Sequence, residues 1–431
     1  MLSGLLLTFI FLVFAYLMMT RKMPALLALP AMALSVGAAA GIMYKCSGGS
    51  LSLRHFIFDT ILTQGSVKLS QAIMFTVFGS ILSQVVMRSG IAARLIGLTA
   101  EYAGQHKLRL AFMLALMTAV CFTSVTGLGA VIMIGTLVMP ILIGSGLSAS
   151  FSAGLMLFAI ALGGIFNPAI LGFYTDVLQL SQTVVKQYVI YYGSFLGLAA
   201  LAYLIVGGLK ERNTFNWAET SEIKQKKLPA ISLVTPLIPI LLIMFFNVPI
   251  IPAFIAGILW GLLSTNLKGF INELSAAVLE GIKDVAPVLG LFVGLGMCLN
   301  AMMAEPVKAV MAPMLEAVLP TSPWGFVFFF LILAPLALYR GPLNMYGLGA
   351  GVAGIIMSGS LLAPTAVMAA FFSVGQMQGV CDPTNTHNVW LGQFAKVSTS
   401  KLLADTVPYV WGFVAVSLIW AVFFNGALQM P

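Results

Sequence analysis

A run of polar residues, Asp382-Pro383-Thr384-Asn385-Thr386-His387-Asn388, interrupts an apolar stretch that extends from Ala363 to the region of Lys396. A similar interruption occurs at Asn167-Pro168. A helix that is broken inside a membrane leaves unpaired backbone groups, so the break persists only where protein, water or a bound solute supplies the hydrogen bonds. The two interruptions therefore predict a solute-binding site inside a membrane.

Two further polar clusters lie at the predicted tips of helical hairpins. They are Thr123-Ser124-Val125-Thr126-Gly127 and Tyr339-Arg340-Gly341-Pro342-Leu343-Asn344. Free amides at helix N-termini attract anions, and free carbonyls at C-termini attract cations. The alternative is that small polar residues at these places only allow close helix packing. The residues that we predict to bind the substrate are Arg340, Ser124, Thr126, Asn344, Thr384, Asn385 and Thr386.

Arg340 indicates the chemical class of the substrate. A cation in mid-membrane costs about 2.5 to 3.5 kcal/mol on insertion scales, and the planar guanidinium fork matches a carboxylate bidentately. A small organic carboxylate is therefore predicted. Two alternatives stay open: a salt bridge from Arg340 to Asp382 or Asp176, and a shallow hairpin that places Arg340 at the membrane interface.

Asp382 and His387 are the predicted coupling residues, with Asn167 and Asp176 as further candidates. A carboxylate in a helix break can bind Na⁺ or take up a proton, and histidine titrates near neutrality. The sequence leaves H⁺ and Na⁺ both open. It predicts no organic cofactor and no resident metal site, and the scattered cysteines lack disulfide-like or metal-like spacing.

The composition sets the class of protein that carries these clusters. Of the 431 residues, 60% are hydrophobic and 8% are charged. Many apolar stretches have the roughly 18 to 25 residues that cross a bilayer core of about 30 Å, and no alternating barrel pattern recurs. We therefore predict an all-α polytopic protein in the lipid bilayer. The net charge of +8 comes from Lys and Arg in loops between spans, so it does not indicate nucleic acid.

The chain contains an internal repeat. Gly127-Leu128-Gly129-Ala130 recurs as Gly347-Leu348-Gly349-Ala350, and each copy is followed about 40 residues later by a residue-Pro break. The predicted hairpins are 108–144 and 324–360. In each half an amphipathic piece (51–63, 267–282), an apolar span (69–87, 285–304) and a second amphipathic piece (91–103, 306–319) precede the hairpin.

These elements predict two halves, residues 1–209 and 229–431, joined by a cytoplasmic linker, residues 210–228. Each half has about five transmembrane helices, a re-entrant hairpin and a broken helix. Fully spanning hairpins would raise the number of crossings to seven. Both numbers are odd, so the halves are expected to be inverted repeats, as in many secondary transporters.

Lys and Arg predict the orientation. Fifteen of the 21 Lys and Arg residues fall on one side of the spans and five on the other, with Arg340 at a hairpin tip. The positive-inside rule makes the first side cytoplasmic. We therefore expect a multi-pass protein of the cytoplasmic (inner) membrane, with both termini on the periplasmic or extracellular side. Leu2–Met19 is expected to be a retained helix, because Arg21 and Lys22 follow it.

The order of elements resembles the ion transporter superfamily of secondary carriers, which includes divalent-anion/sodium symporters, citrate carriers, and gluconate and C4-dicarboxylate permeases. The resemblance covers nearly the whole chain. Thr123-Ser124-Val125-Thr126 and Thr384-Asn385-Thr386 resemble the family's Ser-Asn-Thr signatures, whereas the first break has only Asn167-Pro168. The resemblance implies a homodimer in which one part of each protomer is a scaffold and the hairpin-bearing part moves.

The resulting hypothesis is a secondary active transporter that couples H⁺ or Na⁺ to symport of a small carboxylate. The alternative is a cation/proton antiporter in which Asp382 and Asp176 exchange ions and Arg340 is their counter-ion. An enzyme is not predicted, because the sequence has neither a His-Glu-x-x-His pair nor a Gly-x-Ser-x-Gly elbow. A channel is disfavoured because the polar residues gather at breaks instead of along a continuous stripe.

Overall fold

The structure is a computed structural model that describes residues 2–20, 22–104, 106–211, 228–360 and 362–428. Within these ranges the regular secondary structure is helical, without strands. Arg21 and most of the predicted linker, residues 212–227, lie outside the described residues.

The helices of the first half follow the predicted order closely. In chain order they are α1 (Leu2–Met19), α2 (Ala25–Cys46), α3 (Leu53–His55), a π-helix (Phe56–Gln64), α4 (Gly65–Val67), α5 (Ser70–Arg88), α6 (Ile91–Ala103), α7 (Lys107–Phe122), α8 (Gly127–Gly144), α9 (Ala149–Ile165), α10 (Pro168–Leu178) and α11 (Gln182–Lys210).

The second half repeats this order with one shorter hairpin arm. Its elements are a 3-10 helix (Ala230–Leu237), α12 (Ile238–Phe246), α13 (Ile250–Thr265), α14 (Phe270–Met303), α15 (Glu305–Glu316), α16 (Pro323–Leu333), a 3-10 helix (Ala334–Arg340), α17 (Leu348–Ser358), α18 (Pro364–Cys381), α19 (Thr386–Ala395) and α20 (Thr399–Phe423).

Among the described residues, seven helices are long and apolar enough to cross a membrane, and α9 with α10 makes an eighth span with a 59° bend. Large apolar side chains such as Phe9, Leu198 and Phe246 are exposed, as expected where lipid replaces water. The prediction of an all-α polytopic membrane protein is confirmed. The repeated order of elements is present as well, whereas the inverted orientation of the two copies stays a prediction.

The amphipathic piece and the apolar span that follows it are not separate elements in the second half. Residues 270–303 form one helix of 34 residues, α14. Gly281 and Pro287 flank the expected boundary but lie inside the helix, and Glu280 pairs with Lys283 one turn later at 2.8 Å, which favours continuation of the helix. The separate pieces predicted there were wrong.

Helix α14 is the central element of the packing, since it runs along α2 and α5. The Ser80 hydroxyl donates to the Gly281 carbonyl at 2.9 Å, which ties α5 to α14. Asn300 of α14 donates its amide to the carbonyl of Thr60 at 2.9 Å. Thr60 lies in the π-helix, where the wider turn shifts the carbonyls out of the usual ladder, so α14 supports this irregular turn.

A buried lysine links the two halves on the other side of the fold. Lys186 of α11 donates to the carbonyl of Ile243 and, at 2.8 Å, to the side-chain oxygen of Asn247. Ile243 lies in the last turn of α12, where carbonyls lack helical partners. A cation at this end also complements the negative pole of the helix dipole. Lys186 therefore fixes the end of α12 against α11.

The second hairpin has one short arm. Helix α17 has 11 residues, so its length is about 16 Å, roughly half of the bilayer core. An arm of this length is too short to cross the core, whereas the other arm, Pro323–Arg340, is long enough.

Candidate functional site

The first helix break is built around Asn167. Helix α9 ends at Ile165 and Pro168 begins α10, where a missing N–H has no consequence because the first amides of a helix lack partners. The side-chain oxygen of Asn167 accepts from the amide of Ala169 at 3.0 Å and so caps α10. Its side-chain nitrogen donates to the carbonyls of Phe122 at 3.1 Å and Val125 at 3.4 Å. Asn167 is fully buried and joins the break to the tip of the first hairpin.

The first hairpin tip, residues 123–127, is held by hydrogen bonds of its hydroxyl and amide groups. The Thr123 hydroxyl donates to the carbonyl of Pro236 at 2.9 Å, and the buried Ser124 hydroxyl donates to the carbonyl of Cys121 at 3.4 Å. The Thr126 amide donates to the hydroxyl of Ser83 at 3.4 Å. The buried hydroxyl of Thr126 has no hydrogen-bond partner among the described residues, so it is available to a ligand.

The second break is built around Asp382. Helix α18 ends at Cys381 and α19 begins at Thr386, which confirms the predicted interruption of the apolar stretch. One carboxylate oxygen of Asp382 accepts from the amide and the hydroxyl of Thr384 at 2.8 and 2.7 Å. The other oxygen is buried and has no partner in the part of the chain that the structure describes.

The two asparagines of the second break, at the start of α19, bond to the end of the preceding helix α18. Asn385 donates to the carbonyls of Gln378 and Gly379 at 3.3 and 3.4 Å, and Asn388 donates to the carbonyl of Val380 at 2.8 Å. These carbonyls belong to the last turn of α18, which has no further helical partners. The asparagines therefore satisfy the end of the helix that Asp382 terminates.

The second hairpin tip has an unusual backbone. Tyr339 and Arg340 both have positive φ angles, 56° and 59°, a conformation that residues other than Gly adopt rarely. The side-chain oxygen of Asn344 accepts from the amide of Tyr346 at 2.9 Å, and the carbonyl of Asn344 accepts from Gly349 at 2.8 Å. The tip thus turns sharply before α17 and carries Arg340 at the turn.

A cavity of about 360 Å³ lies where the two breaks and the two tips meet. Aromatic rings form much of its wall, with Phe173 stacked on Tyr346 at 4.6 Å and on Phe292 at 5.1 Å between ring centroids. The polar and charged residues that line it are Thr76, Thr126, Asn167, Asp284, Arg340, Asn344, Gln376, Gln378, Asn385 and His387. A largely apolar cavity with a few convergent polar groups is the usual form of a small-molecule site.

The structure brings six of the predicted site residues to the cavity and leaves five beside it. The six that line it are Thr126, Asn167, Arg340, Asn344, Asn385 and His387. The five that do not line it are Ser124, Thr384, Thr386, Asp382 and Asp176. The carboxylate of Asp176 accepts from the amide of Ala72 in the first turn of α5 at 3.0 Å. A negative charge at a helix N-terminus is stabilising, so this position favours a role of Asp176 in capping α5.

Asp284 is a cavity residue that sequence reasoning missed. In the sequence it follows Lys283 and lies four residues after Glu280, a charged surrounding that is typical of a surface position at the end of a span. The structure places it within α14, where its Oδ2 accepts from the side-chain amide of Gln84 at 2.5 Å. The spacing of Asp284, Val288 and Phe292, all of which line the cavity, is the signal that could have found it, because residues four apart share a helix face.

The described residues contain no group of three or more His, Cys, Asp or Glu side chains that could hold a metal ion.

Comparison with known proteins gives structural neighbours only. No family model matches the sequence, and no curated protein matches it. The structure of the Alcanivorax borkumensis YdaH transporter superposes with a TM-score of 0.64 at 15% identity, covering 99% of this chain and 99% of that chain. That of Neisseria gonorrhoeae MtrF, from a class of antimetabolite efflux pumps, gives 0.55 at 14% identity, with coverages of 91% and 86%.

At these identities the similarity establishes a shared fold and not a shared activity. The fold covers almost the entire length of both the chain and YdaH. The four polar clusters predicted from the sequence thus belong to an architecture found in membrane transporters.

Proposed function

We propose that this chain is a secondary active transporter that carries a small organic carboxylate across the cytoplasmic (inner) membrane by symport with H⁺ or Na⁺. The observation that carries the proposal is the cavity in which Arg340 of a hairpin tip faces the same space as Asn167 and Asn385 of the two helix breaks. The fold shared with the YdaH transporter and with MtrF supports a carrier.

In this proposal Arg340 binds the carboxylate, because its fork can donate two parallel hydrogen bonds to the two oxygens. Asn344, Asn385 and Thr126 complete the polar contacts from the cavity wall. Ser124, Thr384 and Thr386 do not line the cavity and would support the residues that do. Thr384 fixes the orientation of Asp382 by donating from its amide and hydroxyl. The ring stack of Phe173, Tyr346 and Phe292 holds the apolar part of the substrate.

Asp382 is the proposed coupling residue. A buried carboxylate with one unpaired oxygen is strongly disfavoured unless a proton or a cation joins it. His387, in the first turn of α19, lines the cavity and is the second proposed coupling residue. Coupling requires that the cation and the substrate favour the same conformations, since a ligand without such a preference shifts no equilibrium.

The proposal includes the remaining features that the sequence predicted. The two halves, residues 1–209 and 229–431, are taken as inverted repeats around a cytoplasmic linker, with both termini outside. The carrier is a homodimer in the bilayer, without a catalytic activity and without a resident cofactor.

The test is uptake into proteoliposomes that contain the purified chain. Labelled carboxylates are supplied with an imposed proton gradient, an imposed sodium gradient, or neither. We expect accumulation against the concentration gradient with only one of the two cations. Arg340→Gln should abolish uptake, and Arg54→Gln, which changes an exposed arginine in α3, should retain it. Absence of uptake for all carboxylates, or full uptake by Arg340→Gln, would contradict the proposal.

One observation favours a second candidate, a cation/proton antiporter. The buried oxygen of Asp382 that has no hydrogen-bond partner among the described residues could bind a proton and a cation in turn. Such an exchange requires no organic anion. In that case a pH-sensitive dye inside the liposomes would report proton flux when Na⁺ or K⁺ is added without any carboxylate. Arg340→Gln would alter this flux through its effect on the ion site, and no labelled carboxylate would accumulate.

A further inference from the structure

The cavity contains two opposite charges that do not pair. Arg340 and Asp284 both line it, yet among the described residues neither takes part in an ion pair, and the ion pairs present are His55–Asp59, Arg88–Glu273, Lys283–Glu280 and Lys401–Asp405. Unlike charges attract each other. Since neither has a charged partner in the described part of the chain, each can pair with an opposite charge on a ligand in the cavity.

Asp284 is exposed, and a hydrogen bond holds its carboxylate in position. Gln84, itself largely buried, donates to its Oδ2 at 2.5 Å. The same oxygen lies beside the first turn of α8, since a methyl group added at Gly129 would be 3.8 Å from it. A carboxylate at a helix N-terminus offsets the positive pole that would otherwise attract an anion. The first hairpin tip is thereby a poor place for a substrate carboxylate, which leaves Arg340 as the anion site.

We propose that the substrate is an amine-bearing carboxylate, a zwitterion whose carboxylate binds Arg340 and whose ammonium binds Asp284. This inference rests on the proposed transport of a carboxylate and specifies its class. The positive charge of Arg340 and the negative charge of Asp284 sum to zero. The complementary ligand is therefore a neutral molecule that carries one negative and one positive group. A simple carboxylate would satisfy Arg340 and meet repulsion from Asp284.

The shape of the cavity fits this class of molecule. Asp284 and Phe292 lie eight residues apart on one face of α14, which corresponds to about 12 Å along the helix axis. Val288, one turn from Asp284, also lines the cavity, and Phe292 stacks on Phe173, so an apolar surface extends from the carboxylate to the aromatic rings. An amino acid with an apolar body would place its charged groups at the polar end and its side chain against the rings.

The experiment compares matched pairs of probes on the purified full-length chain in detergent. The pairs are leucine with 4-methylpentanoate, phenylalanine with 3-phenylpropionate, and 6-aminohexanoate with hexanoate. Members of a pair differ by one amino group. Only a ligand that binds the folded chain raises its melting temperature by mass action, so titration of the melting temperature gives the apparent affinity of each probe.

For at least one pair we expect the amine-bearing member to bind at least tenfold more tightly, the usual effect of one hydrogen bond to a charged group. Asp284→Asn, which keeps the size of the side chain, should reduce that preference to less than about twofold. Glu280→Gln, which removes a carboxylate one turn earlier on α14 whose partner is Lys283, should leave the preference unchanged.

Each other result counts against the inference. If the simple carboxylates bind the wild-type chain as well as their amines do, the inference is wrong and carboxylate transport stands. If Na⁺ alone stabilises the wild-type chain and Asp284→Asn removes that effect without any amine preference, Asp284 is an ion ligand and the inference is again wrong. If no probe of either kind stabilises the wild-type chain, carboxylate binding itself is contradicted. The wild-type comparison decides these cases even if the variant fails to fold.

Discussion

The side-chain amide of Asn167 donates to the main-chain carbonyl of Phe122 at 3.1 Å, across 45 residues of sequence. This bond connects a helix break to the end of the first arm of the neighbouring hairpin. The same side chain caps α10 through its oxygen. One buried residue therefore fixes two helix ends that would otherwise each carry unpaired backbone groups.

The two roles of Asn167 can be separated by substitution. Asn and Asp cap helices about equally well, but Asp cannot donate to the carbonyls of Phe122 and Val125. We expect Asn167→Asp to lower the free energy of unfolding by about 1 to 3 kcal/mol, the cost of buried acceptors left unpaired, as measured by thermal unfolding in detergent. Ser148→Asn, a change between good capping residues at the start of α9, is the control. A melting temperature of Asn167→Asp equal to that of the wild type would show that only the cap matters.

The repeated Gly-Leu-Gly-Ala motif should respond differently in its two copies. Gly127 has φ +88°, so Gly127→Ala should cost about 1 to 2 kcal/mol of backbone strain, whereas Gly129→Ala meets only Asp284 at 3.8 Å. In the second copy a methyl group at Gly349 would lie 2.6 Å from the main chain of Asn344. Gly349→Ala should therefore be the most destabilising of the three, by thermal unfolding. Equal effects at Gly129 and Gly349 would contradict the observed asymmetry.

Lys186 should contribute to stability by closing the end of α12. Lys186→Met removes the donor to the carbonyl of Ile243 and to the side chain of Asn247, and we expect a loss of about 1 to 3 kcal/mol. Lys45→Met, at the exposed end of α2, is the matched control and should have little effect. The measurement is chemical or thermal unfolding in the same detergent. A Lys186→Met chain as stable as the control would show that the bond contributes nothing.

Asp382→Asn should separate coupling from binding. The amide oxygen can still accept from the amide and hydroxyl of Thr384, so the fold of the break is preserved. The variant can no longer take up a proton or provide a full negative charge for Na⁺. We expect loss of gradient-driven accumulation in proteoliposomes with retained exchange of labelled for unlabelled carboxylate. Thr384→Val is the companion variant, since it removes one contact to Asp382 and leaves the carboxylate. Accumulation at the wild-type level by Asp382→Asn would exclude Asp382 as the coupling group.

The breaks were predictable from sequence because Pro and clustered polar residues cannot continue a membrane helix without partners. Asn167-Pro168 and residues 382–385 accordingly mark the breaks within a residue or two. The side chains that face the cavity were less predictable. Whether Asp382 or His387 lines it depends on how the chain rotates through the break, a geometry set by contacts such as those of Thr384 and Asn388 that lie close in sequence but have no periodic pattern.

Asp284 shows the limit of the sequence more clearly. Its neighbours Glu280 and Lys283 give it the appearance of a surface charge, and it is indeed exposed, but the boundary predicted between residues 282 and 285 hid the periodicity of α14. Only the continuous helix shows that Asp284 shares a face with Val288 and Phe292. Long-range contacts such as Gln84 to Asp284, 200 residues apart, leave no trace in a single sequence.

The two hairpins are attached unequally. Asn167 ties the first tip to its break, whereas Asn385 and Asn388 bond to the end of α18, and among the described residues no hydrogen bond joins the tip at 339–344 to the break at 382–388. Withdrawal of the first tip would break buried hydrogen bonds, whereas the second tip is held by packing of the 3-10 helix at Ala334–Arg340 against α18. Repetition of helices in the same order has thus produced two tips that are held to their surroundings by different kinds of contact.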